Sequence, residues 1–129
     1  MSVERTYQTM LAYGQSHDTS FIAENAVFTD MATGRETSGR AAIAQRIDYF
    51  YHQAFEAHLE LTNLIAADGH ATIEGYVVGT HTGEFAGIAP TGKDVRVPIA
   101  VVFDLEADQI KRARVYLLIN VLFQQLGVQ

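Results

Sequence analysis

The chain has 129 residues, 48% of them hydrophobic, with fifteen acidic against nine basic side chains and a formal charge of −6. That length suits one domain with a real core, and the negative balance argues against nucleic acid or an anionic lipid surface as partner. No cysteine is present, which excludes disulfides, thiolate chemistry and Cys-ligated metal.

The opening MSVERTYQTM lacks an apolar run of signal-peptide length, and no stretch approaches the roughly 20 apolar residues of a membrane span. The expectation is a cytoplasmic protein with no membrane partner. Ser2 can cap a first helix. Val3, Tyr7, Met10 and Leu11 then fall on one apolar face, and Gly14 is a candidate stop. Asp18 can cap a short turn carrying Phe21 and Ile22. ENAVFTDM, residues 24–31, predicts a strand, and MATGRETSG a loop. Ser38 can cap a further helix whose buried stripe is Ile43, Ile47, Phe50, Tyr51 and Ala54.

Beyond residue 57 the period changes. Strands are predicted over 58–66, 70–81, 94–105 and 109–119, with a two-residue hairpin at Asp68-Gly69 and a turn at EADQ. Helices followed by a meander predict an α+β fold, about three helices on one face of a strongly curved antiparallel sheet. Both strand faces carry apolar residues: Val97, Ile99, Val101 and Phe103 oppose Ala100 and Val102. An antiparallel sheet ordinarily solvates one face. One face is therefore assigned to the helices and a cavity, the other to a second subunit in a homodimer, through Tyr76, Val78, Ala100, Val102 and Tyr116.

Residues 82–93 join two strands by a connection too long for a tight hairpin. It has no phosphate-loop spacing, and His81 at its start is read as structural. Pairing across Asp68-Gly69 puts His58, Glu60 and Thr62 on the side of Gly79, Val77 and Gly75, the cavity side. They either supply a polar lining, with His58 and Glu60 able to exchange protons, or turn outward if the register slips by one. Asp30 is either a carboxylate at the cavity mouth or a turn-former. Arg46 either faces inward or lies along the helix edge; if inward, an ion pair with Asp30 is expected. Phe28 and Phe50 are further expected lining residues. His17, His52 and His70 are read as surface residues, and no histidine pair has a metal-ligand spacing; neither metal nor cofactor is expected.

Three segments, GTHTGEFAGIAPTGK (79–93), LIAADGHATIEG (64–75) and RVYLLINVLFQQLG (114–127), resemble the SnoaL-like proteins, relatives of small polyketide cyclases. The resemblance spans nearly the whole chain. It implies a nuclear transport factor 2-like fold with an internal pocket for a small hydrophobic, polyketide-like molecule, and a dimer. Tyr13, in AYGQ, matches a pocket tyrosine of that family. In the cyclases an acid/base Asp on the last strand stands between a basic and an aromatic residue; here Arg114 and Tyr116 flank Val115. A second family Asp falls at Leu118, and an assisting His falls at Val101. Valine and leucine cannot move protons, so the resemblance carries the pocket, with Val101 and Val115 in its wall, and not the usual cyclase machinery. The alternatives are an enzyme using Asp30 or His58, or a dimeric module without catalysis.

Overall fold

The computed structural model describes residues 2–128. Helix α1 spans Val3–Ser16 and leads through a 3-10 turn, Thr19–Phe21, into strand β1, Ile22–Asp30. A short strand β2, Glu36–Ser38, precedes helix α2, Arg40–Asp48, which continues as a π-helical turn over Tyr49–Ala54. Strands β3 (Phe55–Ala67), β4 (His70–His81), β5 (Asp94–Glu106) and β6 (Gln109–Leu117) follow, and helix α3, Ile119–Leu126, closes the chain. No helix among the described residues is long and apolar enough to cross a membrane.

The six strands form one sheet in the order β2-β1-β6-β5-β4-β3. The meander β3 to β6 is antiparallel as expected, but β1 runs parallel to β6. The sheet is therefore mixed: the chain crosses from β1 to the far edge by way of α2 and returns along the meander.

Local chemistry explains the starts and stops. Ser2 Oγ accepts from the Arg5 N–H (3.1 Å), and Asp18 Oδ1 from the Ser20 N–H (2.9 Å), both at predicted caps. Helix α1 runs past Gly14 and ends at His17, which adopts a left-handed conformation (φ 51°) while its N–H bonds Tyr13 O. Its buried face is Thr6, Met10, Tyr13 and Gly14, whereas Val3 and Tyr7 are exposed. The expected face is thus rotated. Thr6 can be buried because its hydroxyl donates to Ser2 O (2.9 Å) and accepts from the Gly69 N–H (3.1 Å), tying the helix to the β3–β4 turn. Ser38 ends β2 instead of capping α2; Gly39, at φ 94°, occupies the cap. The last predicted strand stops at Leu117, because the apolar run that follows is helical, with Leu122 and Leu126 buried and Gly127 as a left-handed stop.

Strands β3 and β4 approach closely at two glycines. A Cβ on Gly75 would stand 2.1 Å from the Glu60 carbonyl oxygen, and one on Gly79 would stand 2.3 Å from that of Glu56. Only glycine permits this backbone approach. Two cores result. One gathers Met10, Tyr13, Ile22, Ile43, Ile73 and Phe103 between α1, α2 and the sheet. The other gathers Phe55, Val97, Leu122 and Leu126 under α3.

Candidate functional site

A cavity of about 440 Å³ opens where the two cores meet. Its wall is mainly aliphatic and aromatic, with Ile73, Ile99, Val101, Phe103, Val115 and Leu117 from the sheet, Phe50 from the π-helical turn, and Ile119 and Phe123 from α3. Phe85, in the connection between β4 and β5, closes one side. That connection is held by His81, fully buried, whose Nδ1 accepts from the Thr91 N–H (3.1 Å) and lies 3.0 Å from the Thr91 hydroxyl. His81 also packs against Phe55, ring centroids 5.1 Å apart. The glycine-rich loop is thus a structural strap with one aromatic, Phe85, facing the cavity. Lys93 Nζ fastens its end by donating to Leu126 O at the close of α3 (3.2 Å).

Of the residues singled out by sequence, Tyr13, Phe28, Asp30, Arg46, Phe50, Val101 and Val115 all border the cavity. Val101 and Val115 are register partners on β5 and β6, and Asp30 is the register partner of Val115 on β1. The three stand in one row across the wall. Asp30 Oδ1 accepts from the Ala32 N–H (2.9 Å), so the carboxylate forms the turn after β1 while bordering the cavity. Asp30 and Arg46 do not pair. Ion pairs among the described residues lie elsewhere, and Arg46 is exposed at the rim, where water screens the cation and no partner is required.

His58, Glu60 and Thr62 are corrections. From the turn outward, Ala67 pairs His70 and Asn63 pairs Glu74, but the register shifts between Leu61 and Asn63. Thr62 is the extra residue of a β-bulge, exposed, its hydroxyl donating to Glu74 O (3.1 Å). Beyond it His58 faces Val78 and Glu60 faces Tyr76, which puts both on the outer face and Leu59 in the cavity wall instead. Outside, Glu60 takes a bidentate pair of bonds from Arg96 (2.9 and 3.0 Å), and the guanidinium lies 3.9 Å from the centroid of the Tyr76 ring.

His17 is a correction in the other direction. Expected at the surface, it borders the cavity with Tyr13 and Tyr51. Its ring centroid lies 5.3 Å from that of Tyr13 and 4.7 Å from that of Tyr51. Burial, and next the charge of His52, push the His17 imidazole below its ordinary range. Burial pushes both phenols well above theirs, with the neighbouring Tyr51 adding to the effect on Tyr13. At neutral pH the three side chains are therefore an uncharged imidazole and two protonated phenols. Sequence spacing gave one usable sign: Tyr13 and His17 are four apart, the spacing at which side chains at a helix end come together. Among the described residues no three His, Asp or Glu side chains gather as metal ligands.

The comparisons with known proteins agree with this architecture. The family model described as SnoaL-like polyketide cyclase matches residues 2–126. The chain belongs to this family. A provisionally assigned SnoaL-like polyketide cyclase from Jannaschia sp. CCS1 superposes with a TM-score of 0.88 at 13% identity, covering 99% of this chain and 95% of the other. A provisionally assigned polyketide cyclase from Xanthomonas campestris pv. campestris gives 0.83 at 22% identity over 96% and 98%. A protein with a ketosteroid isomerase-like fold from Catenulispora acidiphila DSM 44928, solved with trimethylamine, gives 0.74 at 21% over 96% and 93%. These likenesses show the fold: nuclear transport factor 2-like, helices on a curved, unclosed sheet. A comparison with curated proteins returned no match.

Proposed function

We propose that this SnoaL-like protein binds a small, predominantly apolar ring molecule of polyketide type in its cavity, and does not perform the family's usual proton transfer from the last strand. The observation that supports this reading is the row Val101, Val115 and Asp30. Two adjacent apolar side chains border the cavity at the positions where the family resemblance implies an acid/base and its partner. Such a wall holds and orients a ring system by burying its apolar surface. The two valines offer no base, and general acid–base assistance typically contributes about 10²–10⁴-fold. The test is turnover of a polyketide methyl ester by the wild type and by Val115→Asp. The expected result is no cyclisation by the wild type and a gain only in the variant.

A second reading, an enzyme with Asp30 as acid/base, is favoured by its place beside Val115 at the cavity. Efficient wild-type turnover abolished by Asp30→Asn would establish that reading and overturn the first.

The outer sheet face is proposed to meet a second copy of the chain. Tyr116 is exposed there beside Ala100 and Val102, an apolar strip framed by the Glu60–Arg96 pair. Light scattering should give a dimer at micromolar concentration, and Tyr116→Glu should shift it toward monomer. A wild-type monomer would refute this.

A further inference from the structure

The cavity's polar groups fall into two sets. Thr29, Asp30, Thr33, Arg35 and Thr37, from β1, β2 and the turn between them, and Arg46 of α2 make one set. Tyr13, His17 and Tyr51 are a separate cluster, drawn from the end of α1 and the π-helical turn. Tyr13 is 3% and Tyr51 8% exposed. Buried polar groups ordinarily have hydrogen-bond partners, yet among the described residues neither phenol and neither nitrogen of His17 bonds to any protein atom. Among the described residues the only fully enclosed side-chain polar atoms without a partner are His81 Nε2 and Asp108 Oδ1. The two phenol oxygens are therefore not sealed in the packing. They keep access to open space, and both residues border the cavity.

We propose that Tyr13, His17 and Tyr51 form a hydrogen-bonding subsite for an uncharged phenolic or enolic hydroxyl on the ring molecule. The inference rests on the binding reading above and specifies which end of the ligand goes where. A neutral imidazole carries one acceptor nitrogen and one N–H, and a phenol can donate. A ligand hydroxyl answers both: its O–H donates to His17, and its oxygen accepts from Tyr51 or Tyr13. An ether answers only the donors. A carboxylate can bond His17 strongly only if the imidazole is charged, which burial and the neighbouring His52 disfavour. The groups packed near His17 are Tyr13 of α1 and Tyr51 and His52 of the π-helical turn, and the adjacent Asp18 carboxylate accepts from the Ser20 N–H (2.9 Å) and makes no ion pair with the imidazole.

The probes are 2-naphthol, 2-methoxynaphthalene and 2-naphthoate, titrated calorimetrically into the wild type, Tyr51→Phe and His17→Asn. Asparagine tolerates the left-handed backbone of position 17. Wild type should prefer the naphthol to the ether by about tenfold, the scale of one or two net hydrogen bonds. Each variant should lose most of that preference while keeping its affinity for the ether, which also shows that the variant is folded. Equal wild-type affinity for naphthol and ether overturns the subsite and leaves the apolar binding reading standing. So does a preference that survives both substitutions. Tightest binding of naphthoate, lost in Arg46→Ala, would move the polar end to the rim and overturn it as well. If none of the three binds, the binding reading and the subsite fall together.

Discussion

The two faces of the central sheet are built from alternate residues of the same strands, yet they treat polar groups in opposite ways. On the outer face two charge clusters are paired: Glu60 holds Arg96 over Tyr76, and Asp104 holds both Arg114 (3.1 Å) and His70 (2.9 Å). On the inner side Tyr13, His17 and Tyr51 border a cavity, and among the described residues their polar atoms bond to no protein group. Satisfied polar groups consume their own hydrogen-bonding capacity and fix the surface. Unsatisfied ones beside open space retain it for a ligand. The richest arrangement of charge in this molecule is thus structural, and the quieter cluster is the better candidate for recognition.

The strongest way to break this comparison is along one strand. Phe103 is 1% exposed on the inner face, and Phe103→Ala should cost about 3–5 kcal/mol. Val102→Ala, one residue away on the outer face, should cost about 1 kcal/mol or less. Urea unfolding of both variants measures the contrast; a comparable loss at Val102 would mean that the outer face is covered as thoroughly as the inner.

Next in size is the close approach of β4 to β3. Gly75→Ala places a methyl group against the Glu60 carbonyl and should destabilise by about 3 kcal/mol, lowering the urea midpoint. A near-neutral result would show that β3 can move away.

The acid side of the stability curve sharpens the comparison further. Burial depresses the His17 pKa in the fold, so the unfolded chain binds the proton more readily. Stability should fall as pH drops through about 6.5, the free imidazole value. His17→Asn should lose less stability between pH 7.5 and 5.5 than wild type in thermal melts; parallel curves would place His17 in water.

The smallest effect belongs to the outer face. Burial pushes the Asp104 carboxyl up, but the bonds from Arg114 and His70 outweigh it and hold the group below its ordinary value. Its contribution, under about 1 kcal/mol for a partly exposed pair, should be present above about pH 4 and lost as pH falls further. Asp104→Asn should therefore be slightly less stable at pH 6 and converge on wild type near pH 3.

Much of this was decided by local sequence. Ser2 and Asp18 cap where short polar side chains can reach free N–H groups, Asp68-Gly69 turns because glycine accepts a positive φ (76°), and the strand periods set the meander. The motifs also carried the family, and with it the place of Val101 and Val115 in the wall. Tertiary structure decided the rest, for a common physical reason: the deciding contact lies far away in the chain. One extra residue at Thr62 is invisible to periodicity, yet it turns His58 and Glu60 outward. The rotated face of α1 depends on Thr6 finding Gly69. The parallel pairing of β1 with β6 brings Asp30 beside Val115 across 85 residues of chain. His17 reads as a polar residue after a helix; only the return of the chain as the π-helical turn, with Tyr51 against its ring, makes it part of a cavity. Local chemistry fixes which groups a residue can satisfy, and packing alone determines which it is left to offer.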